Sequence, residues 1–172
     1  MNILIVSASL NPDSKSAQLA DRLSEQWVES DLKVSALDLR KADLPMCDGG
    51  SAYGDERVLD AKVKVEAADA IVFATPIYVY GVNAALKNLV ELTGRSMEGK
   101  VTGFLCAAGG RMSYMSVMSF ANSLMLDFRM FVLPRIVYVA SEDWNGDVLG
   151  EEAESRIGQF ATSFEDFARR MQ

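Results

Sequence analysis

Short apolar runs recur along the chain at Ile3–Ser7, Val34–Leu39, Ala70–Thr75, Val101–Ala107 and Ile136–Ala140. They are rich in Val, Ile, Leu and Phe and do not alternate cleanly with polar residues, the pattern of strands buried on both faces. Between them, apolar residues fall at three- and four-residue spacing, as on one face of a helix. One such set is Ala17, Leu19, Ala20, Leu23 and Val28; a second is Val58, Leu59, Val63 and Ala67; a third is Ala85, Leu86, Leu89, Val90 and Leu92. A fourth, Met115, Met118, Ala121, Leu124, Met125 and Phe128, and a fifth, Ile157, Phe160, Ala161, Phe164, Phe167 and Ala168, complete the series. Right-handed crossovers wind such an alternating chain into a parallel sheet covered by helices on both faces, a three-layer α/β/α sandwich. For 172 residues this pattern predicts five parallel strands in the order 2-1-3-4-5.

That order also predicts where a ligand sits. In open sheets of this kind it binds beyond the carboxyl ends of the strands at the point where the order reverses, here between the first and third strands. The loops that reach this point are Ser7–Ser16, Pro76–Val82 and Ala108–Ser113. The first runs into a helix, whose leading amides carry partial positive charge, and Ser9, Ser14 and Ser16 add hydroxyl donors; this combination suits a phosphate. It contains neither a Walker A sequence nor a GxGxxG fingerprint. In the second loop Pro76 fixes the chain as it leaves the strand, and Tyr78 and Tyr80 set flat apolar surface beside main-chain hydrogen-bonding groups, as a heteroaromatic ring requires. The third loop places Gly109 and Gly110 directly after a strand, where a ligand can approach the main chain.

Composition narrows the chemistry. With 49% hydrophobic and 24% charged residues, the chain reads as one globular domain over residues 1–172. A net charge of -7 and a pI near 4.6 argue against a nucleic-acid groove or a polybasic membrane surface. No apolar stretch approaches a membrane span, and the opening apolar run is too brief for a signal peptide. The absence of histidine rules out Ser-His-Asp triads, HExxH zinc sites and imidazole bases. Cys47 and Cys106 match no CxxC or cluster pattern, so no metal site is expected and a reduced, cytoplasmic setting is the natural one. The acidity is uneven: residues 141–172 carry 3 basic against 8 acidic side chains, the rest 14 against 16.

Taken together, Ser9-Leu10 with Ser14-Lys15-Ser16, then Thr75-Pro76-Ile77-Tyr78 with Ala85-Leu86-Lys87-Asn88, then Gly109-Gly110-Arg111, resemble the NADPH-dependent FMN reductase family of flavodoxin-like proteins. The resemblance covers essentially the whole chain. It implies that Ser9, Leu10, Ser14 and Ser16 bind the FMN phosphate and that Pro76, Ile77, Tyr78 and Val79 flank the isoalloxazine, with a backbone N–H near flavin N5. It also implies that Ala108, Gly109 and Gly110 approach the edge of the ring. Arg111 is the best-placed cation for NADPH phosphates or for charge on a reduced flavin. Many members carry Pro-Glu-Tyr-Asn where this chain has Pro76-Ile77-Tyr78-Val79, and the cysteine cluster of the family's iron–sulfur subgroup is missing.

The chemistry implied is hydride transfer from NADPH or NADH to flavin N5, and onward transfer to a flavin, a quinone or a similar small acceptor. Such transfer needs stacking, distance and hydrogen bonding to the ring, so no side chain is assigned as catalytic. The rival reading is a flavodoxin-type electron carrier that does not itself oxidise NAD(P)H; the threonine-rich T-x-T-G-x-T loop typical of such carriers is absent. A third reading is a relative of the fold that has lost flavin and acts through protein contacts. The family implies a homodimer or a homotetramer with flavin near the subunit interface. Met112, Met115, Met118, Met125 and Met130, on the helical segment that follows the third loop and on its flanks, are adaptable fillers for such a contact or for the core.

Overall fold

In the computed structural model, which describes residues 1–172, β1 (Asn2–Ser7) lies between β2 (Lys33–Asp38) and β3 (Ala70–Tyr78) and is parallel to both. After β3 the chain folds back as the two-residue antiparallel strand β4 (Gly81–Val82), and β5 (Val101–Ala108) joins the other edge of β3 in parallel. The last position in the sheet is shared by β6 (Phe131–Val132), beside Val101–Thr102, and β7 (Val137–Ala140), beside Leu105–Ala108. The five-position order 2-1-3-4-5 is therefore present, with its final strand in two pieces and β4 added, seven strands in this sheet. The break follows from the sequence between the pieces. The Leu133 amide still donates to Thr102 O at 2.8 Å, but Pro134 has no N–H to continue the ladder.

Helices α1 (Lys15–Gln26) and α6 (Glu151–Arg170) cover one face of the sheet. The other face carries the short α2 (Leu39–Ala42) with α3 (Glu56–Ala67), α4 (Ala84–Thr93) and α5 (Met118–Phe128). The two apolar clusters they form hold 24 and 23 buried residues, so the sheet is sealed equally on both sides, as the non-alternating strands require. Phe73, Phe104 and Phe120 meet at 5.8–6.3 Å on the α3–α5 side; Phe160 stacks on Phe164 at 5.5 Å on the other. Side-chain caps start the helices: Ser14 for α1, Asp55 for α3 and Asn83 for α4. Helix α6 begins among Glu151, Glu152 and Glu154 and ends at Arg169 and Arg170, charges that complement its dipole. No helix is long and apolar enough to cross a membrane.

Two boundaries differ from the sequence expectation. Strand β3 does not stop at Thr75; Pro76 remains opposite Ala107, and Ile77 and Tyr78 pair with Val82 and Gly81 in the hairpin. Helix α5 starts at Met118, past the Met115 that opens the fourth apolar set, because the preceding residues are held against β7. Ser113 Oγ lies 2.6 Å from Tyr138 Oη, and the Tyr114 ring meets the Tyr138 ring edge-on at 5.5 Å. Cys106, buried in β5, has its thiol pKa pushed up to about 12 by desolvation, so it is an inert core residue.

Gly103 in β5 lets α6 rest directly on the sheet: a Cβ there would lie 2.7 Å from Phe160 Cζ and 3.0 Å from Phe164 Cδ2. Gly103→Ala is expected to destabilise the fold by roughly 1–3 kcal/mol through overpacking, seen as a lower urea midpoint. Gly109→Ala, with nothing within 4 Å of the added Cβ, is expected to leave that midpoint unchanged.

Candidate functional site

Beyond the ends of β1 and β3 the two chains part. The last bond between them runs from Ala8 N to Ala74 O, 2.9 Å. The loop after β1 then closes on itself: Ser9 Oγ accepts from Asn11 N at 3.2 Å and Asn11 Oδ1 from Asp13 N at 3.0 Å. Ser14 caps α1 by accepting from Ala17 N at 3.1 Å, and its Oγ lies 3.0 Å from Ser16 Oγ. Ser9, Ser14 and Ser16 are all buried. The leading amides of α1 have no acceptor within the helix, so they and the paired hydroxyls form a compact donor set at a helix N-terminus.

All three predicted loops meet here, around a cavity of about 190 Å³. Ser9, Ser14 and Ser16 line it from the first loop, Pro76, Ile77 and Tyr78 from the second, and Ala108 and Gly109 from the third. An adjoining depression of about 210 Å³ shares Ile77 and brings in Val79, Tyr80, Gly110 and Met112. A larger cleft of about 650 Å³ runs along the other side of the first loop, between α1 and β2. Neither the second nor the third loop reaches it, so it is not where the predicted residues converge.

The second loop is a two-residue hairpin turn with positive φ at both central residues, +50° at Val79 and +57° at Tyr80. This type I′ arrangement favours Asn-Gly, and a non-glycine residue held there costs on the order of 1–3 kcal/mol. The third loop is anchored from β7, where buried Tyr138 donates from Oη to Gly110 O at 2.5 Å.

Two predicted residues fall outside both depressions. Leu10 faces a separate hollow with Leu39, Met46 and Ala85. Arg111 is held by its neighbours: its Nε lies 2.6 Å from Glu142 and its Nη2 2.7 Å from Asp143, and these contacts raise the pKa of its guanidinium, the Asp143 bond contributing most. Lys15 is engaged in the same way. Its Nζ reaches Asp147 at 2.9 Å and Gly146 O at 3.0 Å and lies 4.2 Å from the centre of the Trp144 ring. These partners sit in and just before the small hairpin of β8 (Trp144–Asn145) and β9 (Val148–Leu149). The acidic C-terminal segment thus neutralises Arg111, the cation that the sequence placed at the site, and Lys15 beside it. Its Gly146-Asp147 dipeptide, with glycine first and φ +63°, is a readable hairpin signal.

Sequence reasoning missed the residues that join the loops. Buried Asn83 donates from Nδ2 to Ala8 O at 2.6 Å, while its Oδ1 accepts from Thr75 Oγ1 at 3.3 Å and Leu86 N at 3.4 Å. One side chain therefore ties β1 and β3 to the start of α4; a polar residue just before an apolar helical run is a readable cap signal, but nothing in the sequence shows this bridge. Asp143, only 8% exposed, lies between Arg111 and Arg156 and accepts from Ala140 N at 2.7 Å. Asn88 holds the segment before α3, accepting from Cys47 N at 2.8 Å and donating to Pro45 O at 2.9 Å.

The model of one family, NADPH-dependent FMN reductase, matches residues 1–145. The chain belongs to this family. Among relatives of this FMN reductase family protein, an NAD(P)H-dependent FAD/FMN reductase of Geobacillus thermodenitrificans is 29% identical over 138 residues, 76% of this chain and 73% of that one. An FMN-dependent NADH:quinone oxidoreductase of Shewanella frigidimarina is 32% identical over 108 residues, 55% of each chain, so that match spans about half of the relative's length. The fold is shared with the flavoenzyme NAD(P)H:(acceptor) oxidoreductase FerB of Paracoccus denitrificans, with a TM-score of 0.80 at 23% identity over 98% of this chain and 97% of that one.

In this family member, Asn83→Ala removes the α4 cap and the donor to Ala8 O, while Thr75 Oγ1 keeps Pro76 O at 3.1 Å. A loss of about 2 kcal/mol in urea unfolding is expected. Asn83→Asp keeps the cap but sets a buried carboxylate oxygen against Ala8 O, and a loss at neutral pH at least as large as that of Asn83→Ala should be measured.

Proposed function

We propose that this chain is an FMN-dependent NAD(P)H oxidoreductase that passes electrons to a small acceptor such as a flavin or a quinone. The observation that carries the reading is the convergence of the three loops on one cavity at the sheet's switch point, in a member of the FMN reductase family. The residues fit the group. Buried hydroxyls of Ser9, Ser14 and Ser16 and the free amides of α1 form the phosphate cradle, and no lysine or arginine is needed to complete it. Pro76, Ile77, Tyr78 and Val79 flank the ring, and Ala108, Gly109 and Gly110 admit its edge to the main chain. FMN supplies a ring nitrogen that takes up hydride from the nicotinamide.

The chain's own part is binding and alignment. Tyr138 holds the Gly110 carbonyl and Asn83 holds the first loop against the third strand, so the donors are in place before any ligand arrives. The carrier alternative gains nothing from the family assignment, whose relatives are named as reductases and oxidoreductases. Anaerobic stopped-flow mixing of FMN-loaded protein with NADH and with NADPH is the test. Rapid bleaching of the flavin absorbance by either nucleotide is expected, and bleaching by dithionite alone would leave the carrier.

The reading extends to residues 1–172 acting as a single FMN-binding domain in a cytoplasmic setting, consistent with two free thiols. A homodimer or homotetramer is the assembly proposed. Tyr78, Val79, Tyr80, Met112, Tyr114 and Met115 present apolar side chains to solvent around the cavity, more than an isolated chain gains from exposing. Light scattering at micromolar concentration is expected to give at least twice the chain mass of 18.8 kDa.

A further inference from the structure

Lys15 is the single cation among the residues lining the three-loop cavity, and it stands between Ser14 and Ser16 at the first position of α1. An ammonium at this place is a strong donor for a phosphate. Its Nζ is engaged elsewhere: it donates to Asp147 Oδ1 at 2.9 Å and to Gly146 O at 3.0 Å, both at the tip of the β8–β9 hairpin, and lies 4.2 Å from the centre of the Trp144 ring. The hairpin does not depend on this contact for its place in the fold. Its base is fixed by buried Leu149 and by the bond from Gly150 N to Asp143 O, 2.9 Å. The Asp147 side chain is 95% exposed and forms no other ion pair, and a pair so open to water adds little to stability. Asp13, exposed and without a cation against it, also lines the cavity, so two carboxylates stand beside the cradle against one ammonium.

We propose, resting on the FMN reading above, that Asp147 competes with the FMN phosphate for Lys15, so that the tip of the β8–β9 hairpin is a latch that sets how firmly the cofactor is held. A phosphate monoester carries about two negative charges near neutral pH, against one on Asp147. The flexible four-carbon stem of Lys15 lets its ammonium turn from one anion to the other. Without ligand the lysine rests on the hairpin; a phosphate in the cradle has to draw it off, and the affinity it gains is reduced by the contact it breaks. The reduction falls on the phosphate alone, because the ring is assigned to residues of the second and third loops, away from this pair.

The test compares FMN with riboflavin, which has the same ring and no phosphate, by flavin-fluorescence titration of the whole chain. In Asp147→Asn the Kd for FMN is expected to fall about fivefold, as an exposed ion pair gives its cation to a second partner. The Kd for riboflavin is expected to change by less than about twofold. Adding Asp147→Asn to Lys15→Met is expected to bring no such gain, since the shared cation is gone. An unchanged Kd for FMN, or equal tightening of both flavins, overturns the latch. The same gain in the Lys15→Met background assigns the effect to one negative charge fewer near the cradle and also overturns it. Weaker binding of both flavins with a lowered Tm makes Asp147 a support of the fold, which is a third way for the latch to fail. Wild-type protein that binds neither flavin defeats the FMN reading itself, whereas wild-type protein that binds FMN with no response to Asp147→Asn defeats the latch alone.

Discussion

The structure depends on the reversal of strand order between β1 and β3. Because the connections from these neighbouring strands leave toward opposite faces, α1 on one side and α4 on the other, no element fills the space beyond their carboxyl ends. An open crevice in a sheet sealed on both faces needs internal support. The amide of Asn83 provides it by joining β1, β3 and the first turn of α4. Tyr138 and Asp143 do the same for the third loop from the sheet's far edge.

Charge at this crevice runs against simple expectation. A chain of net charge -7 offers Lys15 and Arg111 near a site shaped for an anion, yet both are committed to Asp147, Glu142 and Asp143. The uneven acidity of the last 32 residues is therefore spent partly on the frame of the site rather than on a docking face. The groups left facing the cavity with donors to offer are hydroxyls and helix-terminal amides, which are already oriented. The lack of histidine belongs to the same picture: the reactive atoms of a flavin–nicotinamide pair are the cofactors' own, and the chain supplies geometry.

Stability is distributed to match. The core clusters on the two faces are dense with phenylalanine, and Gly103 exists so that α6 can lie close to β5. The loops above the sheet carry the departures from good folding practice, above all the strained and exposed turn at Val79 and Tyr80. A rigid sandwich below and exposed, less regular loops above is the common division between packing and function in such folds.

The sequence by itself determined the layers, the strand order and the three loops, because burial on both faces imposes continuous apolar strands and helical periodicity, and both are local patterns. It also exposed Ser9, Ser14, Ser16, Pro76 and Gly109 as members of one site, since chain topology alone brings strand ends together. Tertiary structure alone decided the rest. The later start of α5 and the capture of Arg111 and Lys15 by the acidic C-terminal segment depend on partners more than 20 residues away in sequence. The φ of Val79 belongs with them, for nothing local in Tyr78-Val79-Tyr80-Gly81 marks a left-handed turn; pairing of Ile77 with Val82 across the hairpin forces it.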